Sequence, residues 1–323
     1  MSGEEESNGW QLMESDPGVF TELLKTLGVP LIVDDLYSLD PESLASLQPL
    51  HALIFLFKYV PSLSEGSSVA DQYDPSFPGF FAHQVVNNAC ATLAVLNALG
   101  NVPTLAMGSQ LRELMNFTTG MDPQTRGMVI TSADWLREAH NSLSPPSAIS
   151  LDGLGLPKRT EEAYHFVVYL PVMGSVYELD GLKPHAVRHG HYEDQGEGWV
   201  KAARDAIEAR IATYPENSLE FSLLAVRDDP LPSLQSQLQQ LQSAGLESEA
   251  AELVVKISTE TSKRDRWAFE SSVRRHNHFG LVHALVLALA KAGKLEGAKE
   301  SAKNKMKARV AQAREKGEMM DED

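Results

Sequence analysis

The chain has a single cysteine, Cys90, in the run Gln84-Val85-Val86-Asn87-Asn88-Ala89-Cys90-Ala91-Thr92-Leu93. There a polar turn gives way to a helical pattern. A cysteine at a helix N-terminus feels the positive end of the aligned peptide dipoles, which favours thiolate over thiol. The alternative is a small hydrophobe packed in a core, a common fate of free cysteine. A second stretch tips the balance towards chemistry. Tyr164–Leu170 and Ser175–Asp180 are β-rich runs on either side of Pro171-Val172-Met173-Gly174, the pattern of a hairpin. Such a hairpin puts His165, near the start of the first strand, and Asp180, near the end of the second, at the same end of neighbouring strands. An imidazole held by a carboxylate is the base and orienting group that a cysteine nucleophile needs. Gln84 adds a side-chain amide N–H, which with the backbone N–H of Cys90 suits an oxyanion. The set is a nucleophile (Cys90), a general acid/base (His165), its orienting group (Asp180) and an oxyanion stabiliser (Gln84).

The elements that must position these groups follow from periodicity. Phe20, Leu23, Leu24 and Leu27 have helical spacing over Pro17–Leu27, and Gly28 stops it. A buried strand is expected over Ala52–Tyr59, then a surface loop rich in Ser, Gly, Pro and Asp over 61–78. The cysteine helix is expected from Ala89 to Leu99, closed by Gly100, with Leu93, Leu96 and Leu99 facing the core. Further helices are expected over Ser132–Glu138 and Trp199–Ala212, and a last strand over Phe221–Val226. Asp228-Asp229-Pro230 ends this domain. Beyond it Leu234, Leu238 and Leu241 stripe a glutamine-rich helix, a polar helix covers Glu247–Arg275, and Phe279–Ala292 is apolar enough to be the docking element for both. The fold class is α/β (α+β): a central antiparallel sheet flanked by helices, with a C-terminal helical extension.

Gln84–Ala91, His165-Phe166-Val167 and Tyr177–Leu182 resemble the three active-site blocks of the ubiquitin carboxyl-terminal hydrolases, a family of papain-like cysteine deubiquitinases. Gly9–Phe20 resembles the start of that family's domain. The likeness is greatest to the larger, proteasome-associated member, runs from about residue 8 to 227, and resumes at Arg274–Phe279. It implies a papain-like catalytic domain over 9–229 that hydrolyses bonds at the C-terminal glycine of ubiquitin. It also implies a crossover loop, 141–162, that filters substrates by size. A helical partner-binding extension would span 230–316, between a disordered acidic start, 1–8, and an acidic tail, 317–323. The implied partners are ubiquitin and ubiquitin conjugates. They extend to a ubiquitin-receptor subunit of the proteasome, which recruits and activates the enzyme through 230–316, and to a chromatin-remodelling subunit. The residues leave two rivals open. One is another Cys-His-Asp acyl-transfer enzyme; the other is a non-enzymatic or partner-dependent ubiquitin-binding subunit.

Composition narrows the setting. In 323 residues, 43% hydrophobic content supports a sizeable core, and a lone cysteine excludes an internal disulfide. That fits a reducing compartment, so cytoplasm and nucleus are expected. A net charge of −16 argues against nucleic-acid binding by the general surface, although Lys291–Lys316 is basic. The start, Met1–Glu6, is acidic and lacks an apolar signal core. The apolar stretch Leu281–Ala290 is too short to span a bilayer. His189 with His191, and His276 with His278, lack an accompanying cysteine or carboxylate cluster, so neither a metal nor another cofactor is expected. His83 adjoins Gln84 without an assignable role, and Asn88 is expected to cap the cysteine helix or to orient the loop before it.

Overall fold

A computed structural model of the chain describes residues 9–58, 72–144, 164–193, 195–214, 221–276 and 279–315. The chain divides into two units, residues 1–144 with 164–271 and residues 145–163 with 272–323. The first begins with α1 (Pro17–Thr26), whose N-terminus is set by Asp16 accepting from the Val19 N–H at 3.0 Å, with Pro17 opening the first turn. Then come β1 (Leu31–Asp35), α2 (Pro41–Ser46), β2 (Leu50–Lys58), β3 (Tyr73–Asp74) and α3 (Cys90–Leu99). The helices α4 (Ser109–Phe117), α5 (Pro123–Thr131) and α6 (Asp134–Asn141) follow. The unit continues with β4 (Tyr164–Val172), β5 (Ser175–Leu179), β6 (Ala186–His191), α7 (Trp199–Ile211) and β7 (Phe221–Asp228).

These strands form one 7-stranded antiparallel sheet in the order β1-β7-β2-β4-β5-β6-β3. Both faces of its centre are covered, which is why β2 and β4 read as apolar runs rather than as alternating patterns. Phe166, Val168 and Leu170 of β4 join Phe20, Leu23 and Leu96 from α1 and α3 in one core. Val167 and Tyr169 point the other way and pack with Phe55, Val200 and Ile207. Leu93, Leu96 and Leu99 of α3 face the core as expected, and the other seven residues of the helix are buried as well. The helix lies between the sheet and residues of α4 to α6 such as Leu111, Ile130 and Leu136, and has no wet side.

The remaining differences are local. The hairpin turn is only Met173-Gly174, with φ of 46° and 76°, so Pro171 and Val172 belong to β4. Positive φ at both central residues is the turn that matches strand twist. Tyr73–Asp74 lies within the expected loop 61–78 yet is an edge strand, pairing Tyr73 with Val187 and Asp74 with Ala186. Residues 59–71 lie outside the described residues. The helix expected from Ser132 starts at Asp134 and runs to Asn141, because Ser132 ends α5. Of the expected crossover loop, Asn141 closes α6 and 142–144 form a turn, while 145–163 lie outside the described residues, as do 1–8 and 316–323.

Asp229 follows β7 and caps α8 (Pro230–Ser243), accepting from the Leu231 N–H at 2.8 Å. Leu231, Leu234, Leu238 and Leu241 are half-buried along one stripe. In α9 (Glu247–Arg275), Trp267 packs on α1, so close that a Cβ on Gly18 would stand 2.7 Å from that of Trp267. Arg264 grips Asp229 with bonds of 2.6 and 2.9 Å. Arg227 of β7 bonds Asp34 of β1 at 2.6 Å, and Lys263 bonds the same carboxylate at 2.7 Å. The second unit contains α10 (Phe279–Lys291) and α11 (Leu295–Glu315). Within α10, Leu281, Val282, Leu285, Val286 and Leu287 are exposed. No helix among the described residues is long and apolar enough to cross a membrane.

Candidate active site

The β4–β5 register pairs Val168 with Leu179, which leaves Asp180 just beyond the strand end and within reach of His165. The His165 Nε2–H donates to Asp180 Oδ1 at 2.6 Å, with the two side chains only 4% and 2% exposed. The same carboxylate oxygen accepts from the Leu182 N–H at 2.9 Å, which fixes its direction. With Nε2 engaged, the ring's Nδ1 is left for Cys90, whose side chain hydrogen-bonds His165. Burial disfavours the charged ring, but the bonds to Asp180 and Cys90 outweigh it and push the imidazole up to about 9. The ring is therefore an imidazolium at neutral pH. Phe57 sets its edge against this ring at 5.9 Å and limits its rotation.

Cys90 is the first residue of α3, where backbone N–H groups have no intrahelical acceptor. Ala89 stands at the cap position without a side-chain cap bond, so Asn88 does not cap the helix. Asn88 instead takes a left-handed conformation, φ 64°, and donates through Nδ2 to the Trp10 carbonyl at 3.1 Å. It orients the loop, the second of the two roles expected for it. Gln84 donates its backbone N–H to the Gly181 carbonyl at 2.8 Å, next to Asp180. A Cβ at Gly181 would sit 3.0 Å from the Gln84 nitrogen, a tight contact that glycine avoids. The Gln84 main chain is thus pinned, whereas its side-chain Oε1 is buried without a hydrogen-bond partner among the described residues. The structure brings Cys90, His165 and Asp180 into one bonded chain and ties Gln84 to the residue after Asp180.

A family model described as ubiquitin carboxyl-terminal hydrolase, family 1, matches residues 10–212, and a second, described as ubiquitin carboxyl-terminal hydrolases, matches 250–295. The chain belongs to the ubiquitin carboxyl-terminal hydrolase family. It is 36% identical to the hydrolase ubh-4 of Caenorhabditis elegans over 94% of this chain and 95% of that one. It is 35% identical to ubiquitin carboxyl-terminal hydrolase 2 of Schizosaccharomyces pombe over 87% of this chain and 91% of that one. Its fold is similar to Trichinella spiralis UCH37 bound to ubiquitin vinyl methyl ester, with TM-score 0.66 and 34% identity over 80% of this chain and 99% of that one. As a ubiquitin carboxyl-terminal hydrolase, the protein is a cysteine deubiquitinase that hydrolyses bonds at the C-terminal glycine of ubiquitin.

Two buried polar groupings of this hydrolase escaped sequence reasoning. Glu178 of β5 lies inside the unit, bonded to Arg210 at 2.6 Å and to His189 at 3.1 Å. Burial penalises its charge, yet Arg210 and His189 hold the carboxyl well below its ordinary value. Arg210 also lies 4.1 Å over the Phe57 ring that abuts His165. The one available signal was a glutamate between apolar neighbours in Ser175–Leu179. On α3, Thr92 bonds His140 Nδ1 at 2.8 Å, and the His140 Nε2–H donates to the Gln11 carbonyl at 2.7 Å. That chain straps the N-terminal segment to the cysteine helix. His83 donates to the Pro184 carbonyl at 3.2 Å and is pulled down by burial, while His191 is engaged with Arg188 and Ser175.

Proposed function

We propose that Cys90, His165, Asp180 and Gln84 perform the hydrolysis in two halves. The Cys90 thiolate attacks the carbonyl carbon of the ubiquitin C-terminal glycine. The developing oxyanion is met by the Cys90 N–H and the Gln84 side-chain amide. The His165 imidazolium, oriented by Asp180, gives its proton to the leaving amine as the C–N bond breaks, leaving a thioester. Neutral His165 then takes a proton from water, hydroxide attacks the thioester, and the expelled thiolate regains its imidazolium partner. The observation that carries this reading is the buried chain from Cys90 through His165 to Asp180. The test is intact-mass analysis after mixing the full chain with ubiquitin vinyl methyl ester. One ubiquitin should add rapidly, and with a single cysteine in the chain the adduct locates itself. No adduct, with iodoacetamide still labelling Cys90, would move the reading to a partner-dependent or non-enzymatic ubiquitin binder.

We further propose that residues 230–316, in cytoplasm and nucleus, dock a ubiquitin-receptor subunit of the proteasome that recruits and activates the enzyme, with a chromatin-remodelling subunit as a second partner. Support comes from the second family match, 250–295, and from the exposed Leu281, Leu285 and Val286 on α10. Leu281→Asp with Leu285→Asp should abolish co-purification with proteasomes and leave hydrolysis of a small ubiquitin substrate unchanged. Undiminished co-purification would place the docking surface elsewhere.

A further inference from the structure

The segment Phe80–Gln84 runs beside α3 with Phe81 and Ala82 buried, yet among the described residues it pairs with no strand. Its backbone groups are satisfied by other means. The Phe80 N–H donates to Asn101 Oδ1 at 2.8 Å, and Asn101 Nδ2 donates back to the Phe80 carbonyl at 2.7 Å. The Ala82 N–H donates to Asn97 Oδ1 at 2.8 Å, and Asn97 Nδ2 donates back to the Ala82 carbonyl at 3.1 Å. Each asparagine therefore makes the two reciprocal bonds that a residue of a neighbouring strand would make. The spacing explains how a helix can do this. Asn97 is in α3 and Asn101 is in the turn that follows its C-cap Gly100; four helical residues advance about 6 Å, and two residues of extended chain advance about 6.6 Å. Asparagines one turn apart therefore meet alternate residues of a strand running the opposite way.

The intervening residues are held from the other side. The Phe81 carbonyl accepts from Arg126 Nη1 at 2.5 Å, and the His83 N–H donates to the Pro123 carbonyl at 2.9 Å. Glycines permit the close fit: a Cβ on Gly100 would fall 2.4 Å from Phe80 Cγ, and one on Gly127 would fall 2.1 Å from the His83 oxygen. Extending the same register by two strand residues and one helical turn carries the chain from Ala82 opposite Asn97 to Gln84 opposite Leu93. That is the first turn of the helix headed by Cys90.

We infer that Asn97 and Asn101 are positioning residues for the oxyanion site, setting Gln84 at a fixed height along the cysteine helix. This rests on the role proposed above for Gln84. Thiol and oxyanion donor then ride on one rigid ruler, because the helix that presents Cys90 also fixes the register of the segment that presents Gln84. A misplacement of about 1 Å at such a site costs up to about a hundredfold in rate.

The test compares Asn97→Asp, Asn101→Asp and Gln84→Ala, and each aspartate combined with Gln84→Ala, in the full chain. Aspartate keeps the shape and one acceptor but replaces the donating Nδ2 with a second oxygen, which faces the Ala82 or Phe80 carbonyl with no proton to give. Two rates are read: kcat for a ubiquitin C-terminal amide substrate, and alkylation of Cys90 by iodoacetamide, which needs the thiolate but no oxyanion donor. Each aspartate should lower kcat about tenfold or more, leave alkylation within about twofold, and cost nothing further once Gln84 is alanine. Asn101, less deeply buried than Asn97, keeps the test available should Asn97→Asp fail to fold. An equal fractional loss of kcat with and without Gln84, or alkylation falling in step with kcat, would overturn the inference. A Gln84→Ala enzyme with full kcat would overturn the reading of Gln84 itself, a distinguishable result.

Discussion

His165→Ala should lower kcat/KM on ubiquitin substrates by about 10⁴-fold, with ubiquitin affinity retained. The loss is large because, in the proposed mechanism, one ring serves three purposes: it partners the thiolate, protonates the leaving amine and later activates water. The unaltered enzyme should in turn lose kcat/KM as pH rises through about 9, where His165 gives up its proton. Iodoacetamide alkylation, which needs only a thiolate, should persist above that pH. The direction also governs stability. A folded-state pKa above the ordinary 6.5 contributes stability that is fully present below pH 6.5 and lost as pH rises through about 9. Asp180→Ala should move the basic limb of the rate profile to lower pH, because burial, the largest influence on the ring, then acts with less opposition. Steady-state pH–rate profiles of the three proteins would decide. A basic limb that stays in place without Asp180 would mean that the carboxylate does not hold the imidazolium.

Arg227→Ala should destabilise the first unit by about 3–5 kcal/mol. Arg227 and Asp34 are only 8% and 7% exposed and meet at 2.6 Å. Lys263 reaches Asp34 at 2.7 Å and Glu260 at 2.8 Å, so the cluster also fastens α9 to the sheet edge. Removing the guanidinium leaves one ammonium to neutralise two carboxylates in a poorly solvated place. Replacing both Arg227 and Asp34 by apolar residues of similar volume should recover most of the loss, since Lys263 and Glu260 can still pair with each other. Denaturant unfolding of the single and double variants tests both statements. A loss below about 1 kcal/mol for the single change would show that water reaches the pair as it does an ordinary surface ion pair.

The parts of this molecule that could be read directly were those in which neighbouring residues decide the outcome. The cysteine helix declared itself through a polar turn followed by Leu93, Leu96 and Leu99 at helical spacing, and the hairpin through two β-rich runs around Pro171-Val172-Met173-Gly174. The proximity of His165 to Asp180 followed from that hairpin alone, because pairing brings the ends of consecutive strands together. Tyr73–Asp74 was hidden because two residues have no periodicity of their own, and their pairing with β6 is decided more than a hundred residues later in the chain. Glu178 was hidden because its partners, Arg210 and His189, come from different elements, so nothing local marks it as buried. Asn97, near the end of α3, and Asn101, just past its closing Gly100, drew no reading from the sequence. Their use depends on an extended segment whose position beside α3 no helical pattern could announce.

Burial of α3 on every side has a further consequence. A helix with no solvent-facing residue belongs to the last part of a protein to open, since exposing any of it dismantles packing on both flanks. Cys90, the proposed nucleophile, is therefore mounted where partial unfolding reaches last. In the proposed mechanism, a change that alters the rate without unfolding the domain would therefore act on the approach of the ubiquitin tail to the sulfur, with the mounting of the sulfur left untouched.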